Sequence, residues 1–166
     1  EAVAPPTGFD VQLAKPAEQM IGTPAEAAIS GVEPVTLGAA DVAEMVALTE
    51  LTKPGPFSAR THELGTFLGI RIDGKLVAMA GERMKPADHT EMTAICVHPD
   101  HRGRGYAQVL LSAVARQIRA RGEIPFLHLF SDNAPAIALY QRQGMTIRRR
   151  LYVTVLQKRA QSALRL

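Results

Sequence analysis

The chain has 166 residues, 46% of them hydrophobic, and 19 Lys and Arg against 16 Asp and Glu leave a net charge of only +3. That suffices for one domain with its own core, and no apolar stretch approaches the roughly 20 residues of a membrane-spanning helix. A single cysteine, Cys96, excludes an intrachain disulfide and reads as a small buried hydrophobe in a reducing compartment.

The first residue is Glu, which suggests a processed, trimmed or partial chain, and no basic-then-apolar signal pattern follows it, so a cytoplasmic location is expected. Residues 1–33 are rich in Pro, Ala and Gly and read as an irregular arm. Within it, Phe9, Val11 and Leu13 alternate as in a short peripheral strand. From residue 34 the pattern gives a strand, a turn at Gly38, and a helix over 41–51. Asp41 is its N-cap, with Val42, Met45, Val46 and Thr49 on one face and the stop at Lys53-Pro54-Gly55-Pro56. Asp73-Gly74 between two β-rich runs marks a type I′ hairpin, and "HTEMTAICV" supplies a third antiparallel strand. Ala107, Leu110, Leu111, Val114 and Ile118 form the apolar face of a helix ending near Gly122. "PFLHLF" reads as a strand buried on both faces. A helix follows, capped among Ser131, Asp132 and Asn133, with Pro135 in its first turn and its end at Gly144. "MTIRRRLYVTVLQ" closes the series as one bent strand or two, and 158–166 form a tail. This order predicts an α/β fold with an antiparallel first part and a parallel strand–helix–strand later.

Chemistry concentrates in "CVHPDHRGRGYAQVLL", Cys96 to Leu111. A helix starting near Gly105 presents unpaired backbone N–H groups and a positive dipole end. Gly103 and Gly105 let an anion approach the backbone, and Arg102 and Arg104 add cationic donors. The Walker lysine–hydroxyl pair is absent, and no third glycine completes a dinucleotide fingerprint. Histidines 62, 89, 98, 101 and 128 are scattered, giving metal binding little support. Arg148, Arg149 and Arg150 lack the interleaved aromatics of a nucleic-acid surface.

Arg102-Gly103-Arg104-Gly105-Tyr106-Ala107 resembles the (Gln/Arg)-x-x-Gly-x-(Gly/Ala) signature of the GCN5-related N-acetyltransferases. "NAPAIALYQRQGM" is similar to their Asn-x-x-Ala-x-x-Leu-Tyr-x-x-x-Gly-Phe segment, with Met145 in place of Phe. The likeness covers roughly residues 34–156, and is nearest to the FR47-like subgroup related to glycine N-acyltransferase C-terminal domains. It implies an α/β fold with a mixed, mostly antiparallel central sheet flanked by helices on both faces, and a catalytic acyl-CoA-binding domain over 34–157 that uses acetyl-CoA and no metal. The backbone of residues 102–107 would hold the pyrophosphate, main-chain groups of Ile95, Cys96 and Val97 the pantetheine, and Asn133 and Ala136 the cofactor arm. Tyr140 would protonate the departing thiolate, although spacing alone, with Ile137 and Gly144 on the same face, reads as core packing. Glu91 falls at the position of the family's glutamate base, with Glu82 in reserve and His89 and His128 behind it. Alternation along the strand places Glu91, Thr93, Ile95 and Val97 on one face. The implied acceptor is a small-molecule or amino-acid-like amine, a peptide N-terminus or a lysine, bordered by the helix over 41–51 and the loop 53–57. No nucleic-acid or membrane partner is expected, and homodimerisation stays open. The competing reading is a catalytically inactive module that binds coenzyme A as sensor or scaffold.

Overall fold

In the computed structural model, which describes residues 4–159, Asp73 and Gly74 both take positive φ (49° and 78°), the conformation a two-residue type I′ turn demands. They join β3 (Phe67–Ile72) to β4 (Lys75–Glu82), and β5 (His89–Val97) pairs antiparallel with β4. The other elements are β1 (Phe9–Ile21), β2 (Val35–Leu37), α1 (Val42–Thr52), α2 (Tyr106–Ala120), β6 (Ile124–Phe130), α3 (Ala134–Arg142) and β7 (Thr146–Lys158). The described strands make one sheet in the order β2-β3-β4-β5-β6-β1-β7, antiparallel throughout except between β5 and β6.

α2 contributes more buried residues to the core than any other element. Leu110, Leu111 and Ile118 are fully buried against Leu68, Ile70, Met92 and Leu127 of the sheet, each burial stabilising by about 1.5–3 kcal/mol. α1 covers the opposite face with Met45 and Leu48 on Phe67, Leu76 and Met79. Helices therefore flank both faces, as the family resemblance implies. Met145 is 1% exposed, so the residue replacing the family's Phe fills a core position.

Asp41 stands at the N-cap position of α1, as expected, but its side chain makes no cap hydrogen bond: its carboxylate accepts from the Gly38 amide (2.8 Å) and from Arg71 (2.6 Å), closing a 3-10 turn over Ala39–Asp41. One expectation needs correction. The expected short peripheral strand in an irregular arm is a thirteen-residue strand inside the sheet, with β6 on one side and β7 on the other. One sheet thus runs from Phe9 to Lys158, and a boundary at 33/34 would cut through it. Pro16 is tolerated because β6 pairing begins only at Ala17, and the Pro16 carbonyl accepts from the Ser131 amide. Beyond β1, the segment 22–34 also packs down: Ser112 on α2 exchanges hydrogen bonds with the Ala27 backbone, and Ile29 lies against Gly105. β7 is a single strand, and its pairing with β1 has two register shifts. Of the tail, residues 160–166 lie outside the described part of the chain.

Candidate active site

β5 and β6 run side by side only where His89–Glu91 meet Ile124–Phe126. Beyond that point they part. A bulge in β5 contributes: Gly81 opposes Thr93 and Met79 opposes Cys96, leaving Ala94 and Ile95 across from Ala80 alone. Ala94 takes φ +51°, a left-handed conformation that costs an L-residue about 1–2 kcal/mol. The extra residue also reverses the strand's alternation. Ile95 and Val97 pack with the α2-side core, whereas Ala94 and Cys96 pack with the α1-side core. The expectation that Glu91, Thr93, Ile95 and Val97 share a face fails for that reason. Parting strands open a cleft of about 790 Å³.

The glycine loop enters this cleft from the α2 end. Gly103 and Gly105 adopt φ +75° and +79°. Gly105 is the N-cap of α2 and has no side chain to satisfy the first-turn amides, which leaves the Tyr106 and Ala107 N–H groups for a ligand. Arg102, Gly103, Gly105, Tyr106 and Ala107 line the cleft with Ile95, Cys96 and Val97; Arg104 is exposed and lies outside its wall.

From α3 come Asn133, Ala136 and Tyr140. Asn133 caps the helix through its side chain, accepting from the Ala136 amide at 3.3 Å. Tyr140 is 8% exposed, and burial, with Cys96 nearby, pushes its hydroxyl up to about 12. Burial likewise lifts the Cys96 thiol to about 11, which suits an inert neighbour better than a nucleophile. Thr52 at the end of α1 and the following Lys53 to Pro56 line another side. Lining residues that the sequence did not single out include Leu13 and Ala17 of β1, Val153 and Val155 of β7, and Arg83.

Glu91 does not line the cleft. Its side chain is 1% exposed, and both oxygens are held by Arg83, through Nε and Nη2 at 2.8 Å each. His128 Nδ1 adds a third contact at 2.8 Å. Burial alone would raise the carboxyl, but the bonds from His128 and Arg83 outweigh it and hold Glu91 below the usual glutamate value. An enclosed, fully engaged carboxylate is badly placed to take a proton from an incoming ammonium, so the direct-base expectation for Glu91 is corrected here. Glu82 fares no better: it is fully buried between Lys85 and Arg121, away from the cleft wall. His89 bonds the Ala87 carbonyl and stands edge-on to Phe126. His128 does line the cleft, 18% exposed, so the second half of β6 faces an opening rather than core on both sides. Among the described residues no group of three His, Cys, Asp or Glu is placed to hold a metal, and no described helix is long and apolar enough to cross a membrane.

A pH effect follows from Glu91. Because its folded value lies below its unfolded one, the stability it contributes is present above about pH 4.5 and is lost as pH falls through the folded value. Acid titration followed by circular dichroism should show a shallower loss in Glu91→Gln than in the parent chain.

Residues 67–153 match the family model described as FR47-like protein. N-alpha-acetyltransferase RimI of Mycobacterium tuberculosis is 34% identical over 138 residues, covering 72% of this chain and 85% of its own length. Mycothiol acetyltransferase of Saccharomonospora viridis is also 34% identical, over 89 residues; the match covers 48% of this chain and 29% of that protein. Among solved structures, a chain from Novosphingobium aromaticivorans assigned to the GNAT family of acetyltransferases superposes with a TM-score of 0.88 at 44% identity, over 96% of this chain and 72% of that one. With the glycine loop, the parted strands and Tyr140 in one cleft, these matches place the chain in the FR47-like group of the GCN5-related N-acetyltransferase superfamily, to which it belongs.

Proposed function

We propose that the chain transfers an acetyl group from acetyl-CoA to a primary amine by direct attack in a ternary complex. The acceptor is an amino-acid-like or other small-molecule amine, a peptide N-terminus or a lysine. The observation that carries this reading is the convergence, in one cleft, of the left-handed Gly103–Gly105 turn at the head of α2, the stretch of β5 that has no β6 partner, and Tyr140. The amides of residues 102–107 would hold the pyrophosphate through backbone geometry and the helix dipole. Ile95, Cys96 and Val97 have no β6 partner, so their main chain can take pantetheine as a sheet edge takes an added strand. Asn133 and Ala136 would flank the cofactor arm. Tyr140 stays protonated well above neutral pH and would give its proton to the departing thiolate. The names of the relatives support acetyl transfer; RimI and mycothiol acetyltransferase act, by their names, on different acceptors.

Acetyl-CoA at a hundred times its Kd should raise stability by about 2.7 kcal/mol, read as a shift in Tm. No shift at millimolar acetyl-CoA would overturn the reading. Free-thiol release across an amine panel then separates an enzyme from a coenzyme A sensor.

A further inference from the structure

The corrected role of Glu91 leaves open which group deprotonates the acceptor, and one hydrogen-bonded row across five strands bears on it. From the end of β4 to β7 the row runs Arg83, Glu91, His128, Gln19 and Arg148. His128 Nδ1 lies 2.8 Å from Glu91 Oε1, His128 Nε2 lies 3.0 Å from Gln19 Nε2, and Arg148 Nη1 lies 2.7 Å from Gln19 Oε1.

The donors and acceptors of this row admit one assignment. Arginine only donates, so the Gln19 oxygen faces Arg148 and the Gln19 amide nitrogen faces the imidazole. That nitrogen also only donates, so His128 Nε2 must accept. The ring proton is then on Nδ1, where the ionised Glu91 accepts it, and Arg83 holds Glu91 ionised from the other side. A second bulge makes the last link: Gln19 opposes Arg149 and Met20 opposes Ile147, so Arg148 is the extra residue, and its guanidinium reaches Gln19.

From this arrangement we infer that His128 is the general base of the reaction, with Glu91 as its positioning residue. The inference rests on the acetyl transfer proposed above. His128 alternates with Leu127 and Leu129, which pack in the α2-side core, so its ring faces the other way, toward the α1-side border of the cleft where Thr52 to Pro56 stand. Its basic Nε2 is held only by a neutral amide. An incoming ammonium makes a charge-assisted hydrogen bond, roughly twice as strong as a neutral one, and can displace Gln19. The charged and titratable groups around the ring are Glu91, Arg83 and, through Gln19, Arg148; Lys53, Cys96, His101, Arg102, Tyr106, Tyr140 and Arg142 share the cleft.

The protons balance. The ammonium gives one proton to Nε2, and the freed nitrogen lone pair attacks the thioester carbonyl. The C–S bond then breaks, and the thiolate takes the Tyr140 proton. Tyr140 recovers a proton from the nitrogen as the amide forms. The imidazolium, stabilised by Glu91 through Nδ1–H, releases its proton to solvent, so one proton leaves per acetyl group transferred.

The test has two independent readouts. In ¹⁵N spectra of imidazole-labelled protein at pH 8, His128 is expected to show a protonated Nδ1 and a bare Nε2; a protonated Nε2 overturns the inference whether or not any amine is acetylated. In kcat/KM profiles against pH, measured by thiol release, His128→Gln should lower the rate at pH 7 by about 10²-fold or more. It should also move the acidic limb up to the acceptor amine's own pKa, with activity returning at high pH. Glu91→Gln should shift the same limb downward while leaving acetyl-CoA binding unchanged. An acidic limb and a neutral-pH rate that survive in His128→Gln overturn the inference. An unchanged acetyl-CoA-induced Tm shift in each variant certifies the fold. If the parent chain binds acetyl-CoA but acetylates nothing in the panel, the acetyl-transfer reading fails, and the tautomer readout still decides the state of His128.

Discussion

Replacing Tyr140 by Phe is expected to lower turnover by about 10²–10⁴-fold, the range for loss of one general acid, while acetyl-CoA affinity stays within a few-fold. The substitution removes only the hydroxyl. The ring remains in the core beside α2, where Tyr140 is 8% exposed, so packing survives and the effect isolates the proton. Without that proton the sulfur must leave as a free thiolate in a partly dry cleft, a charge its surroundings disfavour for the same reason that burial raises the Tyr140 hydroxyl itself. Thiol release and calorimetric binding, measured together, decide the matter. Unchanged turnover with bound cofactor would return Tyr140 to a packing role.

Gly105→Val should be the most damaging single change to cofactor binding, and far worse than Arg104→Ala. At φ +79° a β-branched residue meets the left-handed penalty of about 1–2 kcal/mol. Its Cβ would also stand 3.2 Å from Ile29 Cδ1 and 3.3 Å from Gln108 Oε1, adding overpacking of about 1–3 kcal/mol. Relief of that strain moves the loop out of the conformation that aims its amides at the ligand; losing two hydrogen bonds to a charged group, at about 1.5–3 kcal/mol each, lowers acetyl-CoA affinity by roughly 10²-fold or more at about 1.4 kcal/mol per tenfold. Arg104 is exposed, and removing such a surface cation costs about 0–1 kcal/mol, a change of no more than about five-fold. Comparable losses in the two variants would mean that charge, and not backbone shape, holds the pyrophosphate.

What the sequence disclosed was local. The Asp73-Gly74 turn, the Gly105 entry to α2, the Asn133 cap and the Gly122 stop depend on a few neighbouring residues whose conformational preferences are strong, and each was legible. The Ala94 bulge was not, because alanine carries no signature for positive φ, and missing it scrambled the faces of β5. Glu91 stood where a family glutamate belongs, but nothing local announced that Arg83 and His128 would occupy both its oxygens. His128 looked like a core histidine between apolar neighbours; its partners Glu91 and Gln19 lie 37 and 109 residues away. The placement of β1 was hidden for the same reason, with Pro16 breaking the strand signal and every pairing partner more than a hundred residues off.

That placement bears on how the molecule assembles. β1 comes first among the described strands, yet its pairing with β7 joins Phe9 to Lys158, across nearly all the described residues. Loop closure over such a span is slow, so until β7 pairs, β1 has a bare edge, open to strands of other chains. Folding yield, more than the stability of the finished sheet, should therefore be the property most sensitive to changes in residues 9–21.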